Sequence, residues 1–280
     1  MKYTPQEIEN NVNVSPQSPL RTFSIALAKI AALLFIIYLV IGLLVDIIAP
    51  RISIETEKKI GALAGADLKG KKQTEQDLRL QAILDPLVQG DPALPGFNYK
   101  VYVQENDQVN ALALPAGNIV VFSGLLKEVR SENEMAMILA HELGHFRHRD
   151  HLRGMGRQLI LLLLVTFFSG GDTTSQRVIM PSITTMQMRF SQRQEKAADQ
   201  FGLDLLNKTY GHVAGATDFF VKMSKKNDWP KFMYFFSTHP YPGSRIQALT
   251  ERIQEQGYVA GKAEPLWGAL IPSYAAGFSK

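Results

Sequence analysis

Two histidines four residues apart bracket a glutamate in the run His141-Glu142-Leu143-Gly144-His145. Side chains at i and i+4 of a helix project from one face, a turn apart, so two imidazoles can share one small cation. Glu142, one step round the helix, can reach a water on that cation while lying on a different face from the two ligands. Neutral imidazoles suit Zn2+, and three protein ligands with an open fourth position make a catalytic site. The five letters arise by chance in roughly one chain in a hundred of this length, so the surroundings decide. Met135, Ile138, Leu139 and Phe146 trace an apolar stripe at helical spacing, and Glu142 falls in its middle. A carboxylate there needs a partner, and a metal-bound water supplies one.

A third ligand comes from Ser191–Leu203, SQRQEKAADQFGL. Glu195 and Asp199 lie four apart on one face of an expected helix, and Ala198, Gly202 and Leu205 mark that face as inward. Alone, such a pair is most often a salt bridge between helices. Beside HELGH, Glu195 reads as the carboxylate ligand and Asp199 as the acceptor that orients a histidine ring. Small Ala197, Ala198 and Gly202 allow the helix to pack closely on its neighbour. The stretch Ser237–Ile246, STHPYPGSRI, holds His239, Tyr241 and Arg245, candidates to stabilise an oxyanion in a catalytic role. The plainer alternative is a helix cap for His239 and an ion pair for Arg245. His239 could also fill the open position of the zinc and hold the enzyme latent. Ser244 reads as the cap of the helix that follows.

Four stretches in this order, Asn110–Leu126 (NALALPAGNIVVFSGLL), the HELGH helix, QRQEKAADQFGL and STHPYPGSRI, resemble the HtpX-like and CAAX-prenyl-protease-like membrane zinc peptidases, metallopeptidase family forty-eight. The resemblance covers Asn110 to Ile246. It implies a gluzincin fold, zinc as cofactor with His141, His145 and Glu195 as ligands, Glu142 as catalytic base, and protein or peptide substrates. It also favours Asn110, Ala111, Leu112 and Ala113 as an edge on which an extended substrate adds, over a hairpin that merely closes the sheet. Five residues after His145 this chain has Asp150 where many members have His, so the roles of Asp150, His148 and His151 stay open.

The elements that must position these residues follow from periodicity. Ser131 with Glu134 has the form of a capping box opening the HELGH helix. Phe97 to Gln104 alternates as a strand, and Val109–Leu114 and Ile119–Phe122 flank a turn as a hairpin. Ser53 to Val88 reads as helical. A small sheet followed by helices is an α+β pattern, mostly helical; the resemblance implies that it is a zincin-like domain, preceded by one transmembrane helix.

That helix is Phe23 to Ile48, whose charges, Lys29 and Asp46, sit near its ends. At ~1.5 Å per residue it spans roughly 39 Å, enough for a bilayer. A polar leader precedes it and no small-x-small cleavage site follows, so it reads as an uncleaved anchor and not a signal peptide. Flanking Lys and Arg do not fix orientation; the expectation is a catalytic domain on the outer, periplasmic side. Expected boundaries are a leader over 1–22, the anchor over 23–48, a helical connector over 49–96, the zinc domain over 97–256 and a tail over 257–280.

Composition excludes other classes. With 46% hydrophobic and 20% charged residues the chain is globular, not disordered. Without cysteine it has no disulfide scaffold, thiolate metal site or Cys nucleophile. A net charge of +4 with no aromatic-basic interleaving argues against nucleic acid. Arg147, Arg149, Arg153 and Arg157, next to apolar Leu159–Phe168, could rest on an anionic membrane or form the solvated face of a core helix. The expected function is a membrane-anchored zinc endopeptidase in membrane or envelope protein quality control. The alternative is a membrane-tethered, chaperone-like binding protein with a latent or structural zinc site.

Overall fold

A computed structural model describes residues 18–64, 72–157, 190–225, 232, 235, 237–240 and 242–266. The run Leu159–Phe168, the glycine-rich stretch after it, Tyr241 and Trp267 lie outside the described residues. Contacts divide the chain into Met1–Leu44 and Val45–Lys280.

Helix α1, Pro19–Ile48, opens four residues before the expected Phe23, with proline in its first turn where the missing N–H is harmless. None of its residues is buried, and its most apolar 18-residue window has a mean hydropathy of 2.8. It is long and apolar enough to cross a membrane.

In the second unit, α2 (Ile54–Ala64) and α3 (Glu75–Gly90) precede a three-stranded sheet of β1 (Lys100–Gln104), β2 (Ala111–Leu114) and β3 (Asn118–Phe122). The strand order is β1-β3-β2, with β1 parallel and β2 antiparallel to β3. The expected hairpin is β2–β3, joined through a 3-10 turn at Pro115–Gly117. The two edges of the sheet differ. Along β1, side chains of α3 take the outward amides: Val101 N–H donates to Gln81 Oε1 at 3.1 Å, and Val103 N–H to Asp77. The other edge is β2, which pairs with β3 alone among the described residues.

After α4 (Ser123–Leu126) comes α5 (Glu132–His148), the HELGH helix, buried without interruption from Asn133 to Phe146. Ser131 caps it, accepting from Glu134 N–H at 3.1 Å. Only half of the expected box forms, because the Glu134 carboxylate turns to Arg130 N–H and the Lys222 ammonium. Helix α6 (Gln192–Tyr210) carries a full capping box at Ser191 and Gln194 and ends on Gly211 in the left-handed conformation. It packs on α5 through small residues: a Cβ on Gly144 would meet Ala198 Cα at 2.8 Å, and one on Gly202 would meet His141 N at 3.0 Å. Those contacts bring the two ligand-bearing helices together. Helices α7 (Asp218–Lys225) and α8 (Pro242–Gln256) complete the core, with Phe219, Phe220, Phe235 and Leu249 buried in it. Because α8 starts at Pro242, Ser244 lies inside its first turn and is not its cap. The start of the expected tail turns back on α5, where Glu132 N–H donates to Glu264 O at 2.9 Å and Ser131 bridges Pro265.

Candidate active site

Helix α5 presents His141 and His145 to one point, their Nε2 atoms 3.1 Å apart. From α6, Glu195 brings Oε1 to 3.5 Å from His145 Nε2 and Oε2 to 3.9 Å from His141 Nε2. His239, just before α8, sets Nδ1 3.2 Å from His141 Nε2 and 3.1 Å from Glu195 Oε1. One atom from each of these four buried residues falls within 4.8 Å of the others. The expected ligand set is therefore assembled from two helices, with His239 beside it.

His141 and His145 are each fixed from behind by a carboxylate. Asp199 Oδ1 lies 2.9 Å from His141 Nδ1, and Asp150 Oδ2 lies 3.2 Å from His145 Nδ1. Both aspartates stay ionised: burial opposes their charge, but Arg245 and His141 hold Asp199 below the usual carboxylate range, and His145, Gln194 and Arg153 do the same for Asp150. An ionised carboxylate can only accept, so each ring donates from Nδ1, and as a neutral ligand would turn its Nε2 lone pair inward. Two such lone pairs 3.1 Å apart repel unless a proton or a metal ion stands between them. The separation is close to the edge of a tetrahedron built on ~2.05 Å zinc–nitrogen bonds, about 3.3 Å. On donor type, spacing and second contacts, the group fits zinc.

The Arg245 guanidinium ties the ligand and its support together. Its Nε and Nη2 donate to Asp199 Oδ2 and Oδ1 at 2.7 and 2.6 Å, while Nη1 lies 2.5 Å from Glu195 Oε2. Its other face lies on the Phe220 ring, 4.3 Å from the centroid. Burial and then Arg245 hold His141 below the ordinary imidazole range. Burial also opposes charge on His145, but Asp150 and Glu195 push its pKa up to about 10. A divalent cation at Nε2 displaces that proton, which couples metal binding to proton release.

Glu142 sits at the same point, 1% exposed, with Oε2 lacking a hydrogen-bond partner among the described residues. Its Oε1 lies 3.7 Å from His239 Nε2, which is likewise buried and unpartnered. The Phe190 ring stacks on His145 at 3.7 Å, and Phe235 stacks on His239 at 4.9 Å. Asn110 is buried beside the same loop, its Oδ1 3.5 Å from Thr238 Oγ1, and Ala111, Leu112 and Ala113 continue from it as the outer strand β2.

Asp150 is the site residue whose role the sequence left open. It also accepts from Arg153 Nη1 and Gln194 Nε2, both at 2.8 Å. Its signal in the sequence was its place five residues after His145, where many members of the resembling family have His. The neighbouring arginines are all engaged within the protein: Arg147 with Asp91, Arg149 with Glu57, Arg153 with Asp150, and Arg157 with Asp46.

The sequence is similar to those of known metalloproteases. The chain is 32% identical over 161 residues to the mitochondrial metalloendopeptidase OMA1 of Arabidopsis thaliana, covering 56% of this chain and 32% of that protein. It is 30% identical over 200 residues to the metalloprotease LoiP of Escherichia coli, covering 66% and 73%. Similarity to the beta-barrel assembly-enhancing protease of Yersinia pestis is 26% over 169 residues, covering 56% and 35%. The chain thus spans about a third of the plant and Yersinia relatives and most of LoiP. Residues 74–253, from the cap of α3 almost to the end of α8, match the model of peptidase family M48, and the chain belongs to that family.

Proposed function

We propose that the protein is a membrane-anchored, zinc-dependent endopeptidase that cleaves protein substrates in membrane or envelope quality control. The observation that carries this reading is the meeting of His141, His145 and Glu195 with Glu142, whose Oε2 has no hydrogen-bond partner among the described residues, in one buried site. When bound, zinc supplies Lewis acidity that polarises the scissile carbonyl and acidifies water. The remaining work belongs to side chains. Asp199 and Asp150 hold the two rings in the tautomer that ligates, and Arg245 holds Glu195 against Asp199. Glu142 Oε2 accepts a proton from the attacking water and returns it to the leaving nitrogen. His239 Nε2 is placed to donate to the oxyanion. An extended substrate adds along β2 at Asn110–Ala113 through main-chain hydrogen bonds.

Helix α1 serves as the anchor in this proposal, with the catalytic unit on the outer side. Full-length protein in sealed vesicles, carrying a C-terminal tag, tests both parts. Resistance to alkaline washing supports the anchor, and protection of the tag from added protease reports the side.

Hydrolysis is tested with purified full-length protein. Wild type should hold one zinc and cleave casein. Glu142→Gln should keep the zinc and lose cleavage, because the amide keeps the shape but cannot take the proton. Wild-type cleavage by that variant would overturn the mechanism. A second reading, a site held latent, is favoured by His239 Nδ1, which lies close enough to the other ligands to join them. His239→Ala separates the two: loss of cleavage points to oxyanion support, and a gain points to latency.

A further inference from the structure

Helix α2 lies outside the stretch that matches the family model, yet one of its residues reaches the zinc site's support. Glu57 is fully buried. Its carboxylate accepts from His151 Nε2 at 2.6 Å and from the Arg149 guanidinium. Arg149 and His151 flank Asp150 in sequence, and Asp150 orients His145. A second arm of Arg149 donates to Ile52 O at 2.6 Å, just before α2 begins.

The backbone gives an independent sign. Arg149 closes α5 in the left-handed conformation, φ 57 and ψ 32, where helices ordinarily place glycine. That conformation turns the chain sharply enough to bring Asp150 back beside His145. A side chain with a Cβ resists it, and the contacts to Glu57 and Ile52 give the arginine a reason to be there. Ala116 is the other non-glycine residue with positive φ among the described residues, and its N–H lies 3.4 Å from Glu57 Oε1. Both uphill backbones therefore meet at one carboxylate, one at the end of the zinc helix and one in the β2–β3 turn. Gly61, a turn beyond Glu57, permits the approach: a Cβ there would stand 2.5 Å from Ala116 Cβ and 2.7 Å from Pro115 O.

We propose that Glu57 is a positioning residue for the metal site, holding Arg149 and His151 so that the Asp150 between them keeps His145 oriented for zinc. The inference rests on the zinc reading above. It makes the helix that follows the anchor part of the catalytic apparatus and not a passive connector. The contact works at a distance of three side chains, so its effect belongs in metal retention and ligand geometry.

The experiment is a double-mutant cycle on full-length protein in detergent, with two readouts: the rate of zinc release to a chromophoric chelator, and the visible spectrum of the cobalt-substituted protein. Glu57→Gln should release zinc about tenfold faster, the low end of what loss of an outer partner does to a metal site, and should shift the cobalt bands. In an Asp150→Asn background the same change should have almost no further effect, because the path it acts through is already cut. Glu55→Gln, exposed on the same helix, should leave both readouts at wild-type values. Gly61→Ala displaces α2 without altering any charge and should reproduce the loss in smaller measure; it decides the matter if Glu57→Gln does not fold. Unchanged release from a folded variant, or an equal acceleration with and without Asp150, overturns the inference. A wild-type protein that binds no zinc would instead overturn the proposed function itself.

Discussion

His141 and His145 stand one turn apart on the same helix, and each gives its Nδ1 to an aspartate, but the two aspartates arrive by different routes. Asp199 comes from α6, 58 residues away in sequence, and is clamped by a guanidinium that also holds the Glu195 ligand. Asp150 comes from the turn directly after its own histidine, and its setting depends on Arg153, Gln194 and the grip of α2 on its neighbours. One arm is fixed by close packing of two long helices, the other by a helix end in an uphill conformation. Helix packing through Gly144 and Gly202 leaves almost no room for adjustment. A turn held by side chains from a separate helix can be loosened without unfolding the core.

The largest effect tests whether both arms serve one metal. Replacing His141 and His145 together by alanine should reduce bound zinc from one per chain to none, read by elemental analysis. Full zinc in that variant would dissolve the comparison, since the arms would then support something other than ligands. The next step separates them. Asp199→Asn should weaken zinc by about a hundredfold and Asp150→Asn by about tenfold, the two ends of the range for outer-sphere partners. The larger loss falls on Asp199 because its removal also frees Arg245 from half of its contacts. Equal losses in a competition titration would mean that the two routes are equally stiff.

Arg245 sharpens the contrast on the stability side. It is 4% exposed and faces two carboxylates, so Arg245→Met leaves both buried without their cation. Breaking a buried pair from one side costs about 3 to 5 kcal/mol, and chemical denaturation should show a loss of about that size. Zinc should recover part of it, since the cation takes over one of the carboxylates. No such large change is expected from Arg153→Met on the other arm, where the arginine is partly exposed and Gln194 still holds Asp150.

The two arms also differ in how readable they were. The α6 arm was written in periodicity: Glu195 and Asp199 at i and i+4, with Ala198 and Gly202 on the same face, announce an inward carboxylate pair against a small-residue contact. The α5 helix and the β2–β3 hairpin were legible for the same reason, since alternation and helical spacing are local. The Asp150 arm was not. Glycine after a helix signals a left-handed turn, whereas Arg149 gives no such signal, and its partner lies 92 residues earlier. Glu134 misled for a related reason: its spacing from Ser131 fits a capping box, but Lys222, remote in sequence, draws the carboxylate away. Arg245 was visible as a charge near the site, while its orientation toward Glu195 and Asp199 depends on how α8 packs.

The smallest effect concerns the charge on Glu57 and separates an ionic grip from a merely shape-filling one. Burial disfavours its ionised form, but the hydrogen bonds and charges of His151 and Arg149 outweigh this and hold its pKa below the ordinary glutamate value of 4.5. A folded-state pKa below the unfolded one gives stability that is fully present above about 4.5 and lost as pH falls through the folded value. Glutamine has no proton to gain. The stability gap between wild type and Glu57→Gln should therefore narrow in acid, as wild type takes up the proton and comes to resemble the amide. Other carboxylates titrate in both proteins and cancel in the difference. Urea denaturation at steps from about pH 7 to about pH 3.5 measures that gap directly. A gap that stays constant into acid would mean that Glu57 is not held as an anion by Arg149 and His151, and would leave the α2 contact as packing alone.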